Sequence, residues 1–209
     1  MRPPDSRNGD DIPYARLSPD LMLAAVEATG LLPDGRMLAL NSYENRVYQV
    51  GLEVADPVVV KFYRPARWTD ESIEEEHEFA QELAAGQIPV VAPLVLGGRT
   101  LHRHEGYRYA VYPRRGGRWP DLDSADDRQL MGRFLGRMHQ LGSARRFDHR
   151  PGFDPLERAE AAIETIESAD WLPGYQVDRY AEVSRAIVDR LADALEAVLP
   201  RSVRIHGDC

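Results

Sequence analysis

The sequence predicts an α+β protein of two lobes: a β-rich N-terminal lobe with one main helix, then a helical C-terminal lobe. Three observations predict it. Short β-branched or alternating runs crowd between Arg36 and Tyr112. One capped amphipathic stretch, starting at Thr69, interrupts them. Beyond Pro113-Arg114-Arg115-Gly116-Gly117 the apolar patterns have helical spacing as far as Pro200. The implied organisation is an N-terminal arm over 1–17, an N-lobe over 18–112, a hinge over 113–118 and a partial helical C-lobe over 119–209.

Each element has its own signal. Residues 1–17 read as a loose arm. Ser18 caps a short helix with Pro19 in its first position, and Gly30 closes it. Met37-Leu38-Ala39-Leu40 and Val47-Tyr48-Gln49-Val50 flank the turn formers Asn41-Ser42-Tyr43-Glu44-Asn45, which makes a hairpin. Val58-Val59-Val60-Lys61-Phe62 reads as a buried central strand. Thr69 as N-cap, with Asp70 and Glu71 in the first turn, begins a helix that runs to about Gly86. That helix carries Ile73, His77, Ala80 and Ala84 on one stripe. Two further strands are expected near 90–96 and 106–112.

The C-lobe follows in three helical patterns. The first, about 124–141, carries Leu130, Met131, Phe134, Leu135, Met138 and Leu141, with Gly132 and Gly136 placed to admit another backbone. A charged helix near 155–168 and a long one over about 177–199 come next. Val203-Arg204-Ile205 then starts as a strand.

Composition narrows the function classes. With 43% apolar residues, the 209-residue chain has material for a core. A net charge of −8 argues against nucleic acid and anionic membrane as partners, since both want a basic field. The single cysteine, Cys209, excludes a disulfide framework. No apolar signal segment opens the chain, and two prolines interrupt the apolar run Ile88–Gly98. A cytoplasmic location is the expectation.

The basic residues are lopsided. Of 26, only Lys61 is lysine. A compact ammonium supplies a point charge that a planar guanidinium cannot. On a buried strand it needs an anionic ligand, a carboxylate partner, or both. The plain alternative is a lysine at a sheet edge with its head in water. Glu74, Glu75, Glu76 and Glu78 lie on the following helix, and at least one should face the sheet. Glu76, seven residues before Leu83 on the core side, is the choice. A strand lysine paired with a helix glutamate is how kinase-like folds aim an ammonium at nucleotide phosphates.

Ser42 lies in a turn that lacks glycine, where its hydroxyl can donate to a phosphate; most such turns are merely turns. Asp208, in His206-Gly207-Asp208, suits a general base accepting a hydroxyl proton, although the tripeptide alone carries little weight. His102 and His104 share a strand face without a completed ligand set, Arg114-Arg115 and Arg145-Arg146 read as solvated pairs, and His139 reads as a packed side chain.

These strings resemble a known family. Leu40-Asn41-Ser42-Tyr43-Glu44-Asn45-Arg46-Val47-Tyr48, Val60-Lys61-Phe62-Tyr63-Arg64-Pro65, Glu75-Glu76-His77, Leu135-Gly136-Arg137-Met138-His139-Gln140 and His206-Gly207-Asp208-Cys209 are similar to the stress response kinase A family of bacterial Ser/Thr protein kinases. That family sits in the aminoglycoside phosphotransferase and choline kinase-like group, so the resemblance implies a protein-kinase-like fold. It also implies ATP- and Mg²⁺-dependent phosphorylation of protein Ser/Thr hydroxyls in a stress response. By position, Ser42 would contact ATP, Lys61 would hold its phosphates, Glu76 would orient Lys61 and Asp208 would accept the proton. Adenine would lie against the hinge backbone around Val111, Tyr112 and Pro113.

In the family the metal-binding asparagine and aspartate come after the histidine-glycine-aspartate string, beyond Cys209. The expectation is a chain cut short in its catalytic loop, carrying the kinase signature without competent catalysis. Two alternatives stand beside the protein kinase: a small-molecule kinase of the aminoglycoside, choline or homoserine type, and a non-catalytic nucleotide-binding module.

Overall fold

A computed structural model describes residues 13–117, 120–169 and 171–205. They form two compact units, one reaching Arg150 and including Ile205, the other Pro151–Arg204. The division falls at Arg150.

The first unit is built on a five-stranded antiparallel sheet of order β1-β2-β3-β5-β4. Its strands are β1 (Pro33–Leu40), β2 (Arg46–Leu52), β3 (Val58–Phe62), β4 (His102–His104) and β5 (Tyr107–Pro113). Three helices join them: α1 (Pro19–Glu27), α2 (Asp70–Ala85) and α3 (Ala125–Gly142). The caps match the sequence signals, since Leu21 N–H donates to Ser18 and Ser72 N–H donates to Thr69.

Strand alternation separates two apolar clusters. Val58, Val60 and Phe62 of β3, with Tyr109 and Val111 of β5, pack against Met22, Ala25 and Val26 of α1. Each fully buried side chain of this kind contributes about 1.5–3 kcal/mol. Ala110 of β5 joins Tyr63, Leu101 and Ile73 of α2 in the second cluster. Lys61 alternates with Val60 and Phe62 and pairs in register with Ala110, which puts it on the α2 face.

Two arginines moor the start of α2, for Asp70 accepts from Arg108 at 3.0 Å and from Arg103. At its other end Phe79 and Leu83 pack with Ile88 and with Met138 of α3. Gly86 ends the helix close against α3, where a Cβ would stand 2.6 Å from Leu141 Cδ1 and the leucine tip would have to shift. Arg137 of α3 donates to the Gly86 and Gln87 carbonyls at 2.9 and 3.1 Å.

Several expectations change. Residues 90–96 form no strand; Pro89 precedes them and Pro93 interrupts them, and what remains is the bond from Leu94 N–H to Val111 O at 2.7 Å and an isolated bridge between Leu96 and Arg99. The additional strand is β4, joined to β5 by Glu105-Gly106 with both φ positive (46° and 84°), as a two-residue hairpin turn of the primed kind requires. Ala84 is exposed, as is His139, which is not the packed side chain expected. No other group lies within 4 Å of where a Cβ would stand on Gly132 or Gly136, so no backbone approaches them among the described residues. Residues 13–17 are not loose: Tyr14 stacks on Tyr107 at 6.4 Å, and Leu17 packs against the α1 cluster.

The second unit is a pair of helices, α4 (Pro155–Ser168) and α5 (Gly174–Val198). Asp154 caps α4, and Arg185 binds Glu167 at 2.7 Å. Only Ile163 and Ala181 are buried apolar residues on these helices. Residues 203–205, where a strand is expected to start, belong to no strand among the described residues.

Candidate functional site

Lys61 is the natural starting point. Its Nζ donates to Glu76 Oε1 at 3.0 Å, joining the centre of the sheet to α2. The same ammonium lies 4.7 Å from the centre of the Tyr63 ring, a favourable cation–π distance. The Lys61 side chain keeps 23% of its surface exposed, so the pair is sheltered but open on one side.

Glu76 has a second cation. Arg150 donates to Oε2 at 2.8 Å, so the two carboxylate oxygens are divided between lysine and arginine. Burial alone would raise the Glu76 carboxyl, but the Lys61 ammonium and the Arg150 guanidinium outweigh it and hold the group below its ordinary range. It is therefore an anion near neutrality.

Behind the pair lies a buried aromatic cluster. His77 Nε2 is 2.6 Å from Tyr63 Oη, and His77 Nδ1 is 2.9 Å from Thr100 Oγ1. Tyr63 Oη is also 3.1 Å from Tyr112 Oη. Burial pushes the His77 imidazole down to about 4, leaving it neutral at pH 7. Burial pushes both tyrosine hydroxyls up, so they stay protonated. The cluster adds no charge beside Lys61.

A cavity of about 350 Å³ opens beside the ion pair. Lys61 and Glu76 form its polar end; Val47, Val59, Val91, Tyr112, Pro113 and Arg115 form the remaining wall. The register explains the grouping, since Val47 pairs with Lys61 and Val59 with Tyr112 across neighbouring strands. Volume and lining fall within the range of small-ligand pockets.

The expected site residues separate accordingly. Lys61, Glu76, Tyr112 and Pro113 come together at the cavity. Val111 does not: its side chain lies in the α1 cluster, and its carbonyl accepts from Leu94 N–H. Ser42 lies in the β1–β2 turn and is not in the cavity wall; its hydroxyl donates to Asn45 O at 2.9 Å. That turn is braced from below, where Tyr14 Oη donates to Glu44 O at 3.1 Å and Arg67 binds Glu44 at 2.6 Å. Asp208 lies outside the described residues. Among the described residues no group of three or more His, Cys, Asp or Glu gathers to hold a metal ion, and His102 and His104 make none.

Three participants escaped the sequence reading. Alternation along β3 puts Val59 on the Lys61 face, a usable signal. Arg150 lies 74 residues from Glu76 with no local pattern to mark it. Glu75 accepts from three successive backbone N–H groups, those of Asp148, His149 and Arg150, at 2.5, 2.9 and 2.8 Å. Of the four clustered glutamates it is thus a structural anchor, and not part of a solvated face.

A strand lysine, a helix carboxylate and an adjoining cavity agree with the comparisons. The phosphotransferase enzyme family model matches residues 37–209. The chain belongs to that family. It is 37% identical over 202 residues to serine/threonine protein kinase RdoA of Salmonella typhimurium, covering 97% of this chain and 61% of the relative. It is 38% identical over 205 residues to stress response kinase A of Escherichia coli strain K12, with the same coverage. The chain therefore spans 61% of the length of these curated relatives. Among solved structures, amicoumacin kinase hAmiN in complex with AMP-PNP, Ca²⁺ and Ami aligns with a TM-score of 0.58 at 20% identity, covering 80% of this chain and 53% of that one. That alignment shows a shared kinase-like fold, as the sequence predicts.

Proposed function

We propose that these residues form the nucleotide-binding part of an ATP-dependent Ser/Thr protein kinase of the stress-response type, working in the cytoplasm on protein hydroxyls. The observation that carries the reading is the Lys61–Glu76 pair at the polar end of the cavity. An ammonium held by one carboxylate oxygen keeps N–H groups for a polyphosphate. Val47, Val59 and Val91 offer apolar walls to a flat base, and Tyr112 and Pro113 border the same space. The likeness to relatives named as serine/threonine and stress response kinases supports a protein acceptor. No nucleic-acid or membrane partner is proposed; no helix among the described residues is long and apolar enough to cross a membrane.

In this reading Lys61 binds the phosphates, Glu76 orients Lys61, and Asp208 takes the acceptor's hydroxyl proton as the oxygen attacks the γ-phosphorus, whose bond to the β–γ bridging oxygen breaks to release ADP. The described residues supply no ligand set for Mg²⁺, so no step is assigned through the metal.

Calorimetric titration of the 209-residue chain with ATP tests the nucleotide half. Saturable binding that disappears in Lys61→Ala is expected; absence of binding to the unaltered chain sinks the reading. For the acceptor, γ-labelled ATP, a mixed protein substrate and a polypeptide of the relatives' length should yield phosphoserine and phosphothreonine. Label recovered only on an aminoglycoside, choline or homoserine would reassign the enzyme to small-molecule acceptors.

A further inference from the structure

Glu76 sits between two cations. Lys61 takes Oε1 at 3.0 Å and Arg150 takes Oε2 at 2.8 Å. Two arrangements fit such sharing in principle. The arginine could compete for the carboxylate, drawing it off the lysine, or it could fix the carboxylate so that its other oxygen stays aimed at the lysine.

The surroundings of Arg150 decide between them. Its guanidinium lies 4.9 Å from the centre of the Trp68 ring and donates to Ser72 O at 3.2 Å, so it is restrained at more than one point. The backbone that bears it is restrained as well. The N–H groups of Asp148, His149 and Arg150 all donate to Glu75, and Ser72 Oγ donates to His149 O at 2.8 Å. Ser72 and Glu75 belong to the same helix as Glu76, so the 148–150 segment is tied to α2 along successive turns. A guanidinium anchored this way moves with α2 and holds Glu76 in one rotamer.

We propose that Arg150 is a positioning residue: it fixes the second oxygen of Glu76 and thereby keeps the first on Lys61, whose ammonium faces the cavity. The 148–150 segment is then the strap that holds α2 in its lysine-paired position. Release of the strap would free Glu76 to turn away and leave Lys61 without its orienting partner. The significance of this arrangement rests on the nucleotide reading above, but its test does not.

Lys61 is the only lysine in the chain, so acylation by an amine-selective reagent, read at the peptide level by mass spectrometry, reports on one side chain. An ammonium that loses a hydrogen-bonded carboxylate gives up its proton more readily and reacts faster. Without nucleotide, Glu76→Gln and Arg150→Ala should each speed Lys61 labelling, on the order of three- to tenfold. Arg150→Lys should restore much of the slow rate. The double variant should label no faster than Glu76→Gln alone, because the arginine acts through that carboxylate. Slower or unchanged labelling in folded Arg150→Ala overturns the proposal, and so does an additive double variant, which would signal general loosening. Circular dichroism monitors folding; if Arg150→Ala does not fold, Arg150→Gln takes its place in the same comparisons. A parallel arm with ATP separates the two readings: if ATP fails to protect Lys61 in the unaltered chain, the nucleotide assignment falls, while the labelling rates still judge the strap.

Discussion

Phe62 in the sheet unit and Ile187 in the helical pair are both large apolar side chains within regular elements. Phe62 is 0% exposed and Ile187 is 61% exposed. The contrast extends to their neighbours. Val60, Ile73 and Val111 are wholly buried in the first unit, whereas Tyr175 and Val198 on α5 stand open. An apolar stripe records that a helix needs cover, and says nothing about what supplies it. In the first unit the sheet and its helices cover one another; the second unit offers one helix as cover for another.

The strongest way to break this contrast is to excavate each unit. Phe62→Ala removes a ring stacked 5.4 Å from Tyr109 and should cost about 3–5 kcal/mol. Ile163→Ala, in the thinner interior of the helical pair, should cost only ~2 kcal/mol. Urea unfolding of the two variants measures both; equal losses would erase the distinction.

Acid should act on the sheet unit next. His77 is held at about 4 against an ordinary value of 6.5, so the folded state prefers the neutral ring. Its contribution is fully present above pH 6.5 and is lost as pH falls towards 4, about 3 kcal/mol in all. Asp70, Glu75 and Glu76 are held below their ordinary values and extend the loss to still lower pH. Urea unfolding repeated from pH 7 to pH 4 should show this decline, and His77→Gln should flatten its upper part.

A smaller effect sharpens the description of the strap. Glu75→Ala leaves three backbone N–H groups without their acceptor and should cost about 2 kcal/mol. Hydrogen exchange at 148–150 should rise in that variant with β3 unaffected. The smallest effect belongs to the helical pair, where Ile187→Ser should change stability by no more than about 0.5 kcal/mol. The same change should lessen self-association of the 209-residue chain, measured by light scattering after gel filtration, if the open α5 face drives it.

Legibility in the sequence follows how local each signal is. The helix starts at Ser18, Thr69 and Ser124 were readable because a cap is a contact over three residues. Lys61 and Glu76 were readable because strand and helix periods each assign a face, and the two faces meet. The apolar composition of 90–96 imitates a strand, but Pro93 within it removes a ladder donor. Val111 lies one step of alternation from Tyr112, so its side chain joins the core while Tyr112 borders the cavity. Arg150 could not be found at all, since nothing near it in sequence requires a guanidinium.

Tyr14 has a practical meaning for anyone handling this protein. Its hydroxyl reaches Glu44 O and Phe62 O, and its ring carries the Arg46 guanidinium at 4.8 Å. A residue that precedes the first helix thus braces the β1–β2 turn and the end of β3. Trimming the first fifteen or so residues as dispensable, or fusing a bulky affinity handle directly against Tyr14, would remove or strain the support of the β1–β2 turn.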